Sequence, residues 1–320
     1  MAFSLEKFNA QVYTVATELV DQAVDKFNAA SRNALMLVPS GANVGDYNVA
    51  ASFKLMAGLV RRRDANNGTG AIGQVQLGHR KDVSVKVAGG TKEVEFERAQ
   101  YNWIKQNPAQ AAATIGEQLA RAMLKDQLDV AITGLTAAVG ANAAVVSDIS
   151  GVVGSDTANF GALVTAAGKF GDRSGSIAAW VIHSKVMDDL RLLAVNNTTR
   201  LFEYGTVNVY ADPFGRVFVI TDSPALVNTA KYRTLGLVEG AARVEPNGDF
   251  DATLVDVTGK ENIQTKYQAE WSYNLGLLGY AWKASSGGSS PSDTALGTGT
   301  NWEKTATSNK DTAGVMLVSK

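Results

Sequence analysis

The chain has 320 residues, with 30 lysines and arginines against 31 aspartates and glutamates, a formal net charge of −1. That balance leaves no whole-molecule field to draw it onto nucleic acid or an anionic membrane, and the length supports one large or two ordinary domains with a substantial core. There is no cysteine, which excludes disulfides, thiolate nucleophiles and cysteine-ligated zinc together. No run reaches the roughly 18 consecutive apolar residues of a spanning helix. The first 22 residues interrupt their apolar stretch with acidic and polar side chains, unlike a secretion signal. The expectation is a soluble protein made inside the cell.

Leu5, Phe8, Val12, Val15 and Leu19 recur at spacings of three and four and predict an amphipathic helix. Gln22 and Lys26 occupy the next seam positions, so a long coiled coil is not expected. The stripe needs a cover, supplied either by its own domain or by a neighbouring subunit. From Ala34 to about Ile104 short strand-like pieces alternate with glycine-rich polar tracts. There Val83, Val85 and Val87 face one way and Asp82, Ser84 and Lys86 the other, as in a half-exposed ribbon.

The strongest helix follows. Asn107 can cap it, Pro108 suits its first turn, and Gly134 or Gly140 can end it. About 27 to 32 residues would span roughly 40 to 48 Å, the length of a structural spine. Residues 141–263 read as a compact α/β region, with a helix in TANFGALVTAAGKFG and two apolar runs around an Asp-Pro-Phe-Gly turn. Strand texture returns at TKYQAEWSYNLGLLGYAWKAS. The loop SSGGSSPSDTALGTGTN is flexible by composition, and the last strand, AGVMLVS, is expected to rejoin an earlier sheet. No fixed-period repeat is visible.

Catalytic and binding motifs are weak. In AAWVIHSKVMDDL, His183 falls at a strand-to-helix turn, Ser184 can cap, and Asp188 and Asp189 fall in the first turns of the helix, where they oppose its dipole. A hydrolase elbow needs glycines where Ile182 and Val186 stand, so the nucleophile reading fails at its first requirement. His79 has no histidine or glutamate at metal-ligand spacing. The string GTGAIG, residues 68–73, matches a dinucleotide fingerprint but lacks the preceding strand and following helix. No phosphate loop of the ATPase type occurs. The sequons at Asn196 and Asn197 carry no implication without a secretion signal. Arg61, Arg62 and Arg63 form the densest positive cluster, and they suit either a solvated loop or contact with an acidic patch on another chain.

The order of parts resembles the tailed-bacteriophage major capsid proteins of the Hong Kong 97 fold. The residues that carry the likeness are Trp180 to Arg191, VFVITDSPA at 217–225, and the tail from NLGLLGYAWKAS through a loop to Asn301, Trp302 and Glu303. The resemblance implies an α+β fold divided into an N-terminal arm (1–33), an extended loop with flanking strands of a peripheral domain (34–106), the spine helix (107–140), an axial domain (141–263) and C-terminal strands completing the sheet (264–320). It also implies that the N-terminal stripe and the ribbon are covered by neighbouring subunits. The lysine, asparagine and glutamate that crosslink some members have no local motif to match here.

The expectation is therefore a shell protein without enzymatic activity, cofactor or metal. It would assemble as pentamers and hexamers into an icosahedral head, built in the host cytoplasm around double-stranded DNA. Expected partners are copies of itself, a separate scaffold, a portal, decoration proteins and non-specifically contacted DNA, with no membrane. Expected intersubunit contacts are Leu5, Phe8, Val12, Val15, Leu19 and Arg61 to Arg63. The rivals are an encapsulin-like compartment shell and an intracellular hydrolase using Ser184 and His183.

Overall fold

The computed structural model describes residues 5–38, 47–53, 60–63, 65–66, 68, 70–75, 79–97, 106–193, 199–204, 207–211, 217–259, 261 and 264–320. Helix α1 (Leu5–Ala30) is followed by strands β1 (Leu35–Leu37), β2 (Tyr47–Phe53), β3 (His79–Gly90) and β4 (Val94–Glu97), then by helix α2 (Pro108–Gly140). Next come β5 (Val146–Asp148), α3 (Phe160–Ala167), β6 (Ile177–Ile182), α4 (Ser184–Leu193), β7 (Thr199–Tyr204), β8 (Val207–Ala211), β9 (Val217–Ile220), β10 (Val227–Asn228) and β11 (Lys231–Val238). The chain closes with β12 (Ala242–Pro246), β13 (Asp251–Val257), β14 (Gln264–Leu277), β15 (Tyr280–Trp282), β16 (Trp302–Lys304) and β17 (Gly314–Ser319).

Two sheets divide these strands. In the first, β14 is the long central member. Leu275 pairs with both Val244 and Val85, and Tyr267 with both Leu254 and Val94, so β12 and β13 flank one edge of β14 and β3 and β4 the other. The second runs β5-β17-β11-β6-β9-β8-β7 among the described residues, with β10 beside β11. The C-terminal strand β17 lies between β5 and β11, so it does rejoin an earlier sheet. Strands β12 and β13 fall within residues 141–263 of the sequence yet pair with β14, so within that stretch the strands of the second sheet end at Val238, and only β17 returns to it later.

Helix α2 has 33 residues and at 1.5 Å rise spans about 50 Å. Its first half is amphipathic, burying Ala112, Leu119, Ala120, Met123 and Leu124 while Glu117, Arg121 and Lys125 face solvent. From Val130 to Val139 almost every residue is buried, so the helix passes from the surface into the core. Gly134 does not end it. A Cβ there would sit 3.0 Å from Leu275 and 3.2 Å from Trp302, so the glycine is what lets β14 and β16 approach the spine. Pro108 holds the first turn as expected, but the Asn107 side chain makes no cap; only its carbonyl accepts, from Ala111 N at 3.1 Å.

Helix α1 lies along α2. Its buried face is Phe8, Val12, Ala16, Val20, Ala23, Val24 and Phe27. That face follows the 3.6-residue period and drifts off the 3.5-residue seam that Gln22 and Lys26 interrupt, so the helix continues to Ala30. Gly116 of α2 faces α1 at short range: a Cβ there would lie 3.0 Å from both the Val12 carbonyl and Val15.

The Gly/Ser tract near the C-terminus is held rather than loose. Trp282 Nε1 donates to the Gly288 carbonyl and Trp302 Nε1 to the Leu296 carbonyl, both at 2.9 Å. The two indoles meet edge-to-face at 4.9 Å, and Gly287 lies too close to the Trp282 ring to accommodate a Cβ. Composition misleads here because two tryptophans outside the tract supply both the apolar cover and the hydrogen-bond donors.

Tyr273, 1% exposed, donates to Asp126 of α2 at 2.8 Å and ties the spine to β14. Burial, with smaller help from Asp293 and Asp129, holds the Asp126 carboxyl above its usual range despite the Tyr273 bond. A raised folded-state value stabilises the chain at low pH and loses that contribution as pH rises through it. Asp126→Asn should therefore raise the melting temperature at neutral pH, with the gain shrinking on acidification; an equal shift at pH 4 and pH 7 contradicts this. Gly116→Val should cost about 1–3 kcal/mol by forcing α1 away from α2. Trp302→Phe should cost a similar amount, about 1–3 kcal/mol, by leaving the buried Leu296 carbonyl unpaired. Chemical denaturation of each variant measures both.

Candidate assembly surface

His183 follows β6 directly and precedes α4. Its carbonyl accepts from Met187 N at 3.1 Å and its Nδ1 accepts from Lys185 N at 3.2 Å, so His183, rather than Ser184, caps the helix. Its Nε2 stands 3.6 Å from Asp222 Oδ1, and its ring packs 5.0 Å from that of Tyr232. Asp222 follows β9, the parallel neighbour of β6, and Thr221 N donates to the Ile182 carbonyl at 3.1 Å, which brings the carboxylate to the start of α4. There it accepts from Ser184 N at 3.4 Å.

Neither ring nitrogen is bonded to the Ser184 hydroxyl among the described residues, so the pair lacks the contact a nucleophile and its base require. Asp188 and Asp189 lie beyond the first turn of α4. They are ion-paired along the helix, with Arg191 at 3.4 Å and Lys185 at 2.6 Å. Lys185 also reaches the Lys320 carbonyl at 3.1 Å and stands 5.2 Å over the Tyr232 ring, joining α4 to the C-terminal residue.

Part of the N-terminal stripe is already covered within its own chain. Phe8 and Val12 are 3% and 0% exposed within their own chain. Val15 and Leu19 are half-buried, with Val15 against Gly116, and the Leu5 side chain lies outside the described residues. The cover is α2 itself, whose small side chains and glycine form a track that α1 can approach closely, so Phe8 and Val12 have no surface left for a neighbour. Arg61, Arg62 and Arg63 are exposed and make no ion pair among the described residues. No helix follows the glycine string at 68–73 in the described residues, where Gly70 and Gly73 face open space. The His79 side chain and residues 194–198, with Asn196 and Asn197, lie outside the described set.

Sequence reasoning did not find the exposed apolar side chains. Val153 is fully exposed, Leu192 86% and Val164 53%, although Val164 adjoins Leu163, which is wholly buried on the same helix. Nothing local separates such a valine from a core residue, since exposure depends on what the rest of the chain covers. No helix among the described residues is long and apolar enough to cross a membrane.

A family model for Gp13-like proteins, described as major capsid protein 13-like, matches residues 4–316. No curated protein sequence matches the chain. Among solved structures, a chain of Mycobacterium phage Cain superposes with a TM-score of 0.53 at 13% identity, over 91% of this chain and 89% of that one. The capsid asymmetric unit of cyanophage Pam1 gives 0.49 at 11% identity, over 86% and 85%. The mixed architecture of two sheets and a spine helix is thus the Hong Kong 97-like fold of phage capsids. By its family match the chain belongs to the Gp13-like major capsid proteins: it is a structural protein of a phage head shell and not an enzyme.

If His183 serves as a cap, His183→Ala should destabilise the chain by about 1 kcal/mol, the usual effect of losing a side-chain cap. Asp222→Ala should weaken the same helix start. Unchanged melting of both variants would remove the capping role.

Proposed function

We propose that many copies of this chain assemble through pentamers and hexamers into a closed icosahedral shell around double-stranded DNA. Assembly takes place in the host cytoplasm, guided by a separate scaffold and a portal and completed by decoration proteins. The family match over residues 4–316 carries this reading. The geometry supports it: β5 and β7 each end the second sheet with one neighbouring strand among the described residues, and open edges of this kind are completed by other subunits in a closed assembly.

In this reading the second sheet with α3 and α4 corresponds to the axial domain, assigned to 141–263. Helix α2 and the first sheet form the peripheral domain, residues 34–106 supply the extended loop and flanking strands of that domain, residues 1–33 the arm, and 264–320 the closing strands. Contact with DNA is electrostatic and sequence-independent, as a net charge of −1 leaves only local basic patches to make it. Arg61 to Arg63 remain the expected intersubunit cations, and among the described side chains of the α1 stripe Val15 and Leu19 retain partial exposure for a neighbour.

Negative-stain electron microscopy of the purified chain over a concentration series, with scaffold co-expressed in a parallel sample, tests the proposal. Shells, tubes or five- and six-membered rings are expected. A monomer at every concentration, with and without scaffold, would refute self-assembly.

A further inference from the structure

A cavity of about 330 Å³ opens between α1, α2 and the turn linking β12 to β13. Its walls are aromatic. The Phe250 ring lies 6.2 Å from that of Trp271 with the planes only 8° apart, and the Tyr13 ring stands 5.0 Å from Phe250. Asp21 and Asp249 line it as well, and none of the described lining residues is cationic.

Gln127 makes this more than a dimple. It is 2% exposed, lies one turn beyond Met123 on the same face of α2, and its amide has no hydrogen-bond partner among the described residues. The Gln127 side chain lines the cavity, and the cavity is the direction from which a partner for its amide can come. Asp21 makes no ion pair among the described residues; burial, and then Asp25 one turn on, hold its carboxyl above the usual range. Asp249 differs. Burial opposes its charge, but hydrogen bonds from Ser272 and the Lys86 ammonium at 3.4 Å take its carboxyl below that range.

A cation that donates hydrogen bonds and has flat apolar faces is complementary to these acidic and aromatic walls. A guanidinium fits: it stacks on aromatic rings, donates in a planar fork and keeps its charge in partly desolvated surroundings. The chain carries three such groups together, Arg61 to Arg63, all exposed and unpaired among the described residues. We propose that the cavity receives an arginine side chain from the Arg61–Arg63 triplet of a second copy of the chain, stacked on the aromatic walls and donating to Asp21 and Gln127. This rests on the assembly reading and gives it a specific contact.

The test is calorimetric titration of a synthetic peptide of residues 58–67 into the full-length chain, kept dilute enough to stay unassembled. Saturable binding is expected, weakened at least about tenfold by Asp21→Asn and by Gln127→Leu, as for a stacked and hydrogen-bonded charge pair. A peptide with glutamine at positions 61, 62 and 63 should not bind. Circular dichroism and melting confirm that each variant folds, and Tyr13→Ala, at an exposed wall, supplies a further test if Gln127→Leu does not. No binding, equal binding of the glutamine peptide, or binding unchanged in every folded variant would overturn the proposal. Binding of spermidine without binding of the peptide would overturn it too, in favour of a small polyamine. Shells seen by microscopy with no peptide binding would sink this contact alone, whereas peptide binding without any shell would sink the assembly reading instead.

Discussion

The closeness with which helix α2 meets strand β14 is the constraint on which the rest of the structure depends. The segment from Val130 to Val139 is apolar nearly all round, so it must be enclosed, and Gly134 removes the one side chain that would keep Leu275 and Trp302 away. The enclosing strands come from residues more than a hundred positions later, and β3 must pair along the opposite edge of β14 from far earlier in the chain. The core therefore exists only once distant parts of the chain are together. The two tryptophans that pin the Gly/Ser tract belong to the same closure, because Trp302 touches the spine and also holds the tract by its indole N–H.

The exposed half of α2 serves a different purpose. Its small residues let α1 lie flat, and with that contact made, the apolar stripe that had suggested a docking arm is consumed inside the subunit. What remains for other copies is distributed: open strand edges, scattered apolar side chains, a basic triplet and an acidic aromatic cavity. Such a surface has no single pocket of chemistry, which agrees with membership of a shell-protein family. His183 illustrates the difference between composition and role. Histidine, serine and two aspartates within a few residues suggest catalysis, but the geometry spends them on a helix cap and on ion pairs along one helix turn.

Much of the fold was legible because it is written in short-range patterns. The long apolar run opened by Pro108 marked the spine, the alternation around Val85 marked β3, and Trp180 to Arg191 marked a strand running into a helix. The errors lie where a non-local partner decides. Asn107 looks like a cap but does not cap; the Gly/Ser tract looks loose but is held; β12 and β13 lie among second-sheet strands in sequence but join the first sheet. The cavity was invisible for the same reason, since Tyr13, Gln127 and Phe250 each have an unremarkable local context and acquire a common role only on meeting.

By itself the sequence determined the element types, the absence of cysteine chemistry, the balanced charge and, through the order of its parts, the likeness to a phage capsid protein. Periodicity, turn residues and composition are local, and they survive translation into structure because backbone sterics and side-chain burial act over a few residues. Only the tertiary structure decided which faces were already covered, which strands shared a sheet and which polar groups were left without partners. Those are properties of contacts between residues far apart in the chain, and no local pattern encodes the free energy of a contact whose other half lies a hundred residues away.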